Sequence, residues 1–205
     1  MAFPTSQLIC AVALVCLSAC AATSVSVATP SPGVLRVTPA AEKTVERLPA
    51  GPLYWRLETF ATAEEAQAAA GPFSLTTQAA GKAWLATLGP RTTAVARGRL
   101  VADIGPAPVI DAPRYVLRMN RAGGPPGAVT NVHTHPGSEA FYVLTGQLSQ
   151  KTAHGVARVD AGNTLNGHAP GMAMQLTSSG DEDLDQLVLF VVDATKPFSS
   201  PAAFE

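Results

Sequence analysis

From residue 53 onward, apolar and polar positions follow one another in short runs broken by glycine and proline. Leu53-Tyr54-Trp55-Arg56-Leu57-Glu58 alternates, with Leu53, Trp55 and Leu57 on one face, and predicts a half-buried strand. A short helix is expected next. Thr62-x-x-Glu65 is a capping-box pattern, Ala66 to Ala70 are mostly strong helix formers, and Gly71-Pro72 ends it. Apolar stretches then recur near 73–80, 82–88, 93–102, 114–120, 129–135, 139–145, 147–152, 156–160, 163–168, 172–178 and 186–193. Short strands at regular spacing, with turn residues between them and no second long helix, point to an all-β sandwich or barrel.

The N-terminal end has a different pattern. Leu8 to Cys20 is a run of about 13 apolar or small residues, too short for a spanning helix and of the length of an export signal's hydrophobic region. Leu17-Ser18-Ala19-Cys20 resembles the lipobox of bacterial lipoprotein signals, which implies cleavage after residue 19 and a lipid on the Cys20 thiol. Ala21 is not the Asp that marks inner-membrane retention in that family, so a periplasmic protein anchored at the outer membrane is implied. Cleavage near Ala22 without lipid is the plainer alternative. No cysteine lies beyond Cys20, so the exported chain would form no internal disulfide. Residues 20–50, rich in Ala, Thr, Ser, Val and Pro, are expected to form a flexible tether, and 51–205 one domain.

Composition narrows the class further. Charged residues make up 14% of the 205 and the formal net charge is −1, without the basic stripe of a nucleic-acid binder. Hydrophobic residues at 47% exclude a disordered, highly charged chain.

The sharpest chemical feature is Gly127-(x5)-His133-Thr134-His135-(x3)-Glu139-(x6)-Gly146, just after the rigid Gly123-Gly124-Pro125-Pro126-Gly127 loop. His133 and His135 stand two apart on an extended segment and share a face. Pro136-Gly137-Ser138 turns the chain, and Glu139 begins the next strand opposite them, with Phe141 and Val143 on the same inner face. Two imidazoles and a carboxylate can converge there on a divalent metal while leaving coordination positions open.

This pattern matches the first motif of the cupin superfamily at every position, and the resemblance extends over about Gly127–Asp193. It implies a small antiparallel β-barrel of jelly-roll topology, with one short N-terminal helix added here and a core at about 114–193. It also implies metal-ligand roles for His133, His135 and Glu139. The family's second motif is only partly present. With Gly171 as its glycine, Met174 stands where the third histidine belongs and Ser178 where the asparagine belongs. Three roles therefore stay open. Met174 could give a thioether ligand, His168 could swing in as a replacement, or the methionines could simply fill the pocket wall. His154, in a turn beside Gly155, is expected in solvent.

The resemblance implies either a small-molecule metalloenzyme, of dioxygenase or isomerase type, or a non-catalytic ligand-binding cupin, with or without metal. Fe, Mn, Zn, Ni and Cu all remain compatible with the donor set. Phe141, Val143, Met172 and Leu176 are the expected pocket residues, no nucleic-acid partner is expected, and a homodimer is possible.

Overall fold

The computed structural model describes Met1 and residues 33–91, 97–108 and 110–205. The signal segment and Cys20 lie outside the described residues, as does most of the leader. Pro32–Glu205 forms one compact unit. Among the described residues no helix is long and apolar enough to cross a membrane.

The elements in chain order are β1 (Arg36–Val45), β2 (Leu53–Phe60), α1 (Ala63–Ala69), β3 (Ser74–Ala79), β4 (Lys82–Pro90), β5 (Arg99–Ile104) and β6 (Tyr115–Gly124). They continue with β7 (His133–Thr134), β8 (Gly137–Thr145), β9 (Gln147–Thr152), β10 (Gly155–Asp160), β11 (Thr164–Asn166), β12 (Gln175–Ser178), β13 (Leu184–Asp193) and β14 (Ser200–Pro201). The expected strands and helix are found, with ends shifted by a few residues, while positions 93–96 of the expected 93–102 stretch lie outside the described residues. Thr62 caps α1 as its sequence predicts. Its hydroxyl accepts from the Glu65 amide, and the Glu65 carboxylate accepts from the Thr62 amide.

One segment differs from its reading. Residues 36–45, taken from composition as part of a tether, form β1, which pairs antiparallel along β6 from Arg36↔Gly123 to Val45↔Tyr115. β1 is an edge strand with most side chains exposed, held mainly by backbone pairing, with Ala40, Ala41 and Val45 packed against the core. Hydrophobic periodicity therefore gives no sign of it.

The eight strands β6 to β13 wind as a jelly roll. One sheet runs β6-β13-β8-β11, extended outward by β1, and the other runs β10-β9-β12. The His133↔Met174 bridge and the Thr130 amide donating to the Leu176 carbonyl attach the β7 segment to β12. Counting β6 as the first strand, the two orders are 1-8-3-6 and 2-7-4-5, the nested arrangement of a double Greek key. The turn between β8 and β9 is made by Gly146 at φ +70°, where an added Cβ would meet the Asp183 carbonyl oxygen at 2.8 Å.

A further sheet, β3-β4-β2-β5, covers the outer face of the β6-β13-β8 layer. Trp55, Leu57 and Trp84 share one buried cluster with Leu117, Met119, Leu187 and Leu189. The opposite face of that layer supplies Phe141, Val143, Val188 and Phe190 to a second cluster, inside the jelly roll, with Leu148 and Leu176. Burial on both faces explains why Leu187-Val188-Leu189-Phe190-Val191-Val192 is continuously apolar instead of alternating.

Candidate metal centre

His133, His135 and Glu139 all line one cavity of about 390 Å³ inside the jelly roll. The chain places them there by pairing. β7 is bridged to Met174, β8 lies beside β13 with Glu139 opposite Phe190, and the short His135-Pro136 link carries the chain from β7 to β8. Glu139 is 2% exposed and His135 6%. Gly167 packs directly behind the carboxylate. Its amide donates to the Glu139 carbonyl at 2.9 Å, and a Cβ there would collide with the Glu139 backbone.

Both imidazoles are oriented from behind. His133 Nδ1 lies 2.8 Å from the Asn131 carbonyl and His135 Nδ1 lies 2.6 Å from the Phe198 carbonyl. A carbonyl can only accept, so each Nδ1 carries a proton, and in the neutral ring Nε2 then keeps a free lone pair. That is the arrangement by which proteins prepare histidine for a metal. The rings stand edge to face with centroids 5.0 Å apart, and Phe190 and Phe198 each lie 4.9 Å from the His135 ring. Burial, with the nearby His133 and Arg118 charges, lowers the His135 pKa to about 4, against the opposing Phe198 hydrogen bond. The ring is neutral at pH 7.

Glu139 is held from one side only. Gln150 Nε2 donates to its Oε1 at 2.8 Å, while Oε2 is buried without a hydrogen-bond partner and faces His135 Nε2 at 3.9 Å. Burial pushes this carboxyl up to about 8, opposed by the Gln150 hydrogen bond. At neutral pH the close approach of His135 and Glu139 is therefore between a neutral imidazole and a largely protonated acid, not an ion pair.

Two imidazole nitrogens with free lone pairs and an orphaned buried carboxylate oxygen fit the chemistry of a divalent cation. Among the described residues no three His, Cys, Asp or Glu side chains already stand at coordinating distances. Donors sharing one ion at right angles, with bonds of about 2.1 Å, lie about 3 Å apart. The 3.9 Å between His135 Nε2 and Glu139 Oε2 would thus need to close by about 1 Å.

The other sequence-derived residues divide. Met174 is buried at 3% exposure on the interior side, where Gln150 Nε2 lies 3.5 Å from its sulfur. It stands beside the amide that holds Glu139. His168 is half-buried, outside the residues described as lining the cavity, and its pKa is lowered by burial and by the His154 charge. His154 is exposed in its turn. Leu176 lines the cavity, Phe141 and Val143 lie in the buried cluster adjoining it, and Met172 is half-buried in the segment before β12.

Residues not singled out from sequence complete the wall. Asn120, Thr130, Asn131, Val188, Phe190 and Phe198 line the cavity. The C-terminal segment closes it as a strap, because β14 pairs with β7 and the Ala202 amide donates to the Val132 carbonyl. Arg118 braces the strap from the inner face of β6, its guanidinium 4.2 Å from the Phe198 ring centroid and paired with Glu42 at 3.2 Å. Gln150 did carry a sequence signal, a large polar residue on the inward parity of β9, two positions after Leu148. Phe198 carried none, since it reaches His135 across 63 residues of chain.

No protein-family model matches the chain. No curated protein matches it either. Solved structures do. A cupin-like protein from Thermotoga maritima aligns at 17% identity and TM-score 0.38, over 43% of this chain and 65% of its own. A double-stranded β-helix protein from Klebsiella pneumoniae aligns at 22% and 0.37, over 42% and 75%. The oxalate decarboxylase of Lactobacillus farciminis aligns at 20% and 0.35, over 42% and 26%. The chain thus spans just under two thirds of the Thermotoga protein, and these alignments reach less than half of this chain. By its strand order, the chain has a jelly-roll fold.

Proposed function

We propose that this is a metal-dependent small-molecule protein of cupin type, an enzyme of oxygenase or isomerase type, with His133, His135 and Glu139 holding one divalent ion. The observation that carries the reading is the pairing of two Nδ1-anchored imidazoles with a buried, partnerless Glu139 Oε2 in one cavity. When bound, such an ion supplies Lewis-acid or redox chemistry at its remaining coordination positions. The chain's own residues do the rest. Asn131 and Phe198 fix the two rings, Gln150 fixes the carboxylate, and Leu176, Val188, Phe190 and Phe198 exclude water around the site. Elemental analysis of the untagged chain tests this, with about one divalent ion per chain expected and a metal-free protein contradicting it.

A second reading is a ligand-binding cupin that does not turn its ligand over. It is favoured by the cavity wall, which among the described lining residues offers no Tyr, Lys, Asp or Cys as a general acid or base beyond the triad.

We also propose that the chain is exported and lipidated at Cys20, on the strength of Leu17-Ser18-Ala19-Cys20. Cys20→Ala should abolish incorporation of labelled palmitate and shift the processed mass. Persisting label would contradict the proposal.

A further inference from the structure

We infer that the cavity selects a largely apolar, ring-sized ligand that presents one anionic oxygen of a chelating pair, and rejects dicarboxylates and phosphate esters. The inference rests on the proposed metal site and names its substrate class.

The lining sets the selectivity. Val37, Ala122, Leu176, Val188, Phe190 and Phe198 give apolar wall on several sides. The polar groups near the triad are neutral, namely Asn120, Thr130, Asn131 and Ser199. No Lys or Arg is among the described lining residues. Arg118, which abuts the wall through Phe198, is committed elsewhere. It shares the inner face of β6 with Asn120, but its Nε donates to Asn120 Oδ1 at 2.8 Å, its Nη1 pairs with Glu42, and its guanidinium lies 4.2 Å from the Phe198 ring centroid.

Charge then decides the ligand class. A divalent ion with one carboxylate ligand leaves a net charge of +1, which a single anionic oxygen neutralises. A dianion would leave an uncompensated negative charge against apolar wall, and burying a charge without a partner is strongly unfavourable. Sites for carboxylate and phosphate groups normally supply Arg or Lys for this purpose. The volume of about 390 Å³ falls at the small end of ligand sites, room for a single ring with short substituents.

The test loads the full untagged chain with Zn²⁺, which has no redox chemistry to consume the probe, and confirms the metal content after dialysis. Binding of 4-nitrocatechol, read by its absorbance shift, is compared with displacement by oxalate and by glucose 6-phosphate. The expected result is at least ten-fold tighter binding of 4-nitrocatechol than of either competitor. Val37 is 50% exposed at the cavity wall, so Val37→Arg should fold and keep its zinc. It is expected to shift the preference toward oxalate, raising oxalate binding relative to 4-nitrocatechol at least five-fold. Zinc-loaded protein that binds oxalate or glucose 6-phosphate as tightly as 4-nitrocatechol overturns this inference alone. Protein that retains no zinc overturns the metal reading and this inference together.

Discussion

His135 Nδ1 donates a 2.6 Å hydrogen bond to the carbonyl of Phe198, so a buried residue of the candidate centre takes its orientation from the last few residues of the chain. The ring of Phe198 adds a second hold, packing 4.9 Å from both the His135 and Phe190 rings, with the Arg118 guanidinium 4.2 Å from its centroid. The strap is thus part of the site's wall and part of its alignment.

Deleting residues 198–205 should therefore weaken metal binding. Removing the group that orients a histidine ligand typically costs about 10–100-fold in affinity. The jelly-roll strands, which pair without the strap, should keep their β-rich circular dichroism. Phe198→Ala, which retains the carbonyl, should lose less. Metal titrations of the two variants measure the difference, and a truncated protein with unchanged affinity would contradict the role given to the strap.

Met174 occupies the interior position next to Gln150 and thereby next to Glu139. Its thioether fills space there, so Met174→Leu, a near volume match that costs under about 1.5 kcal/mol, should leave metal content unchanged. Met174→His should tighten binding by adding an imidazole on the same side. His168→Ala should change nothing, because His168 stands outside the described cavity lining. Metal content of the three purified variants decides among packing, thioether ligand and replacement histidine.

Metal uptake should depend on pH with a definite sign. His135, lowered to about 4, offers no proton competition near neutrality, whereas Glu139, raised to about 8, must lose its proton to bind. Affinity should rise as pH increases from about 6 to 8 and level off above. In the metal-free protein the two groups act oppositely on stability. The neutral His135 stabilises the fold above pH 6.5, and that contribution is lost as pH falls toward about 4. The protonated Glu139 stabilises it below pH 4.5, and that contribution is lost as pH rises toward about 8. Isothermal titrations in buffers of different ionisation enthalpy report the released proton. Uptake without proton release at pH 7 would contradict the assignment of Glu139.

The sequence made the strands legible because turn glycines and prolines separate short apolar runs, and it made the triad legible because His133, Thr134, His135 and Glu139 lie within one local turn of chain. Three things were hidden, each for a physical reason. β1 is an edge strand held by backbone pairing with β6, and its exposed side chains leave no apolar pattern. The β13 run reads as a single buried strand, yet only the structure shows that its second face meets Trp55 and Trp84 of the added sheet. Phe198 acts on His135 across 63 residues of chain, which local spacing does not encode.

The most direct test of the central claim is the metal content of the untagged wild-type chain beside His135→Ala, with circular dichroism confirming that both are folded. The account expects about one divalent ion per wild-type chain and substoichiometric metal in the variant, since one of three ligands is gone. Equal metal content in the two folded proteins would contradict it.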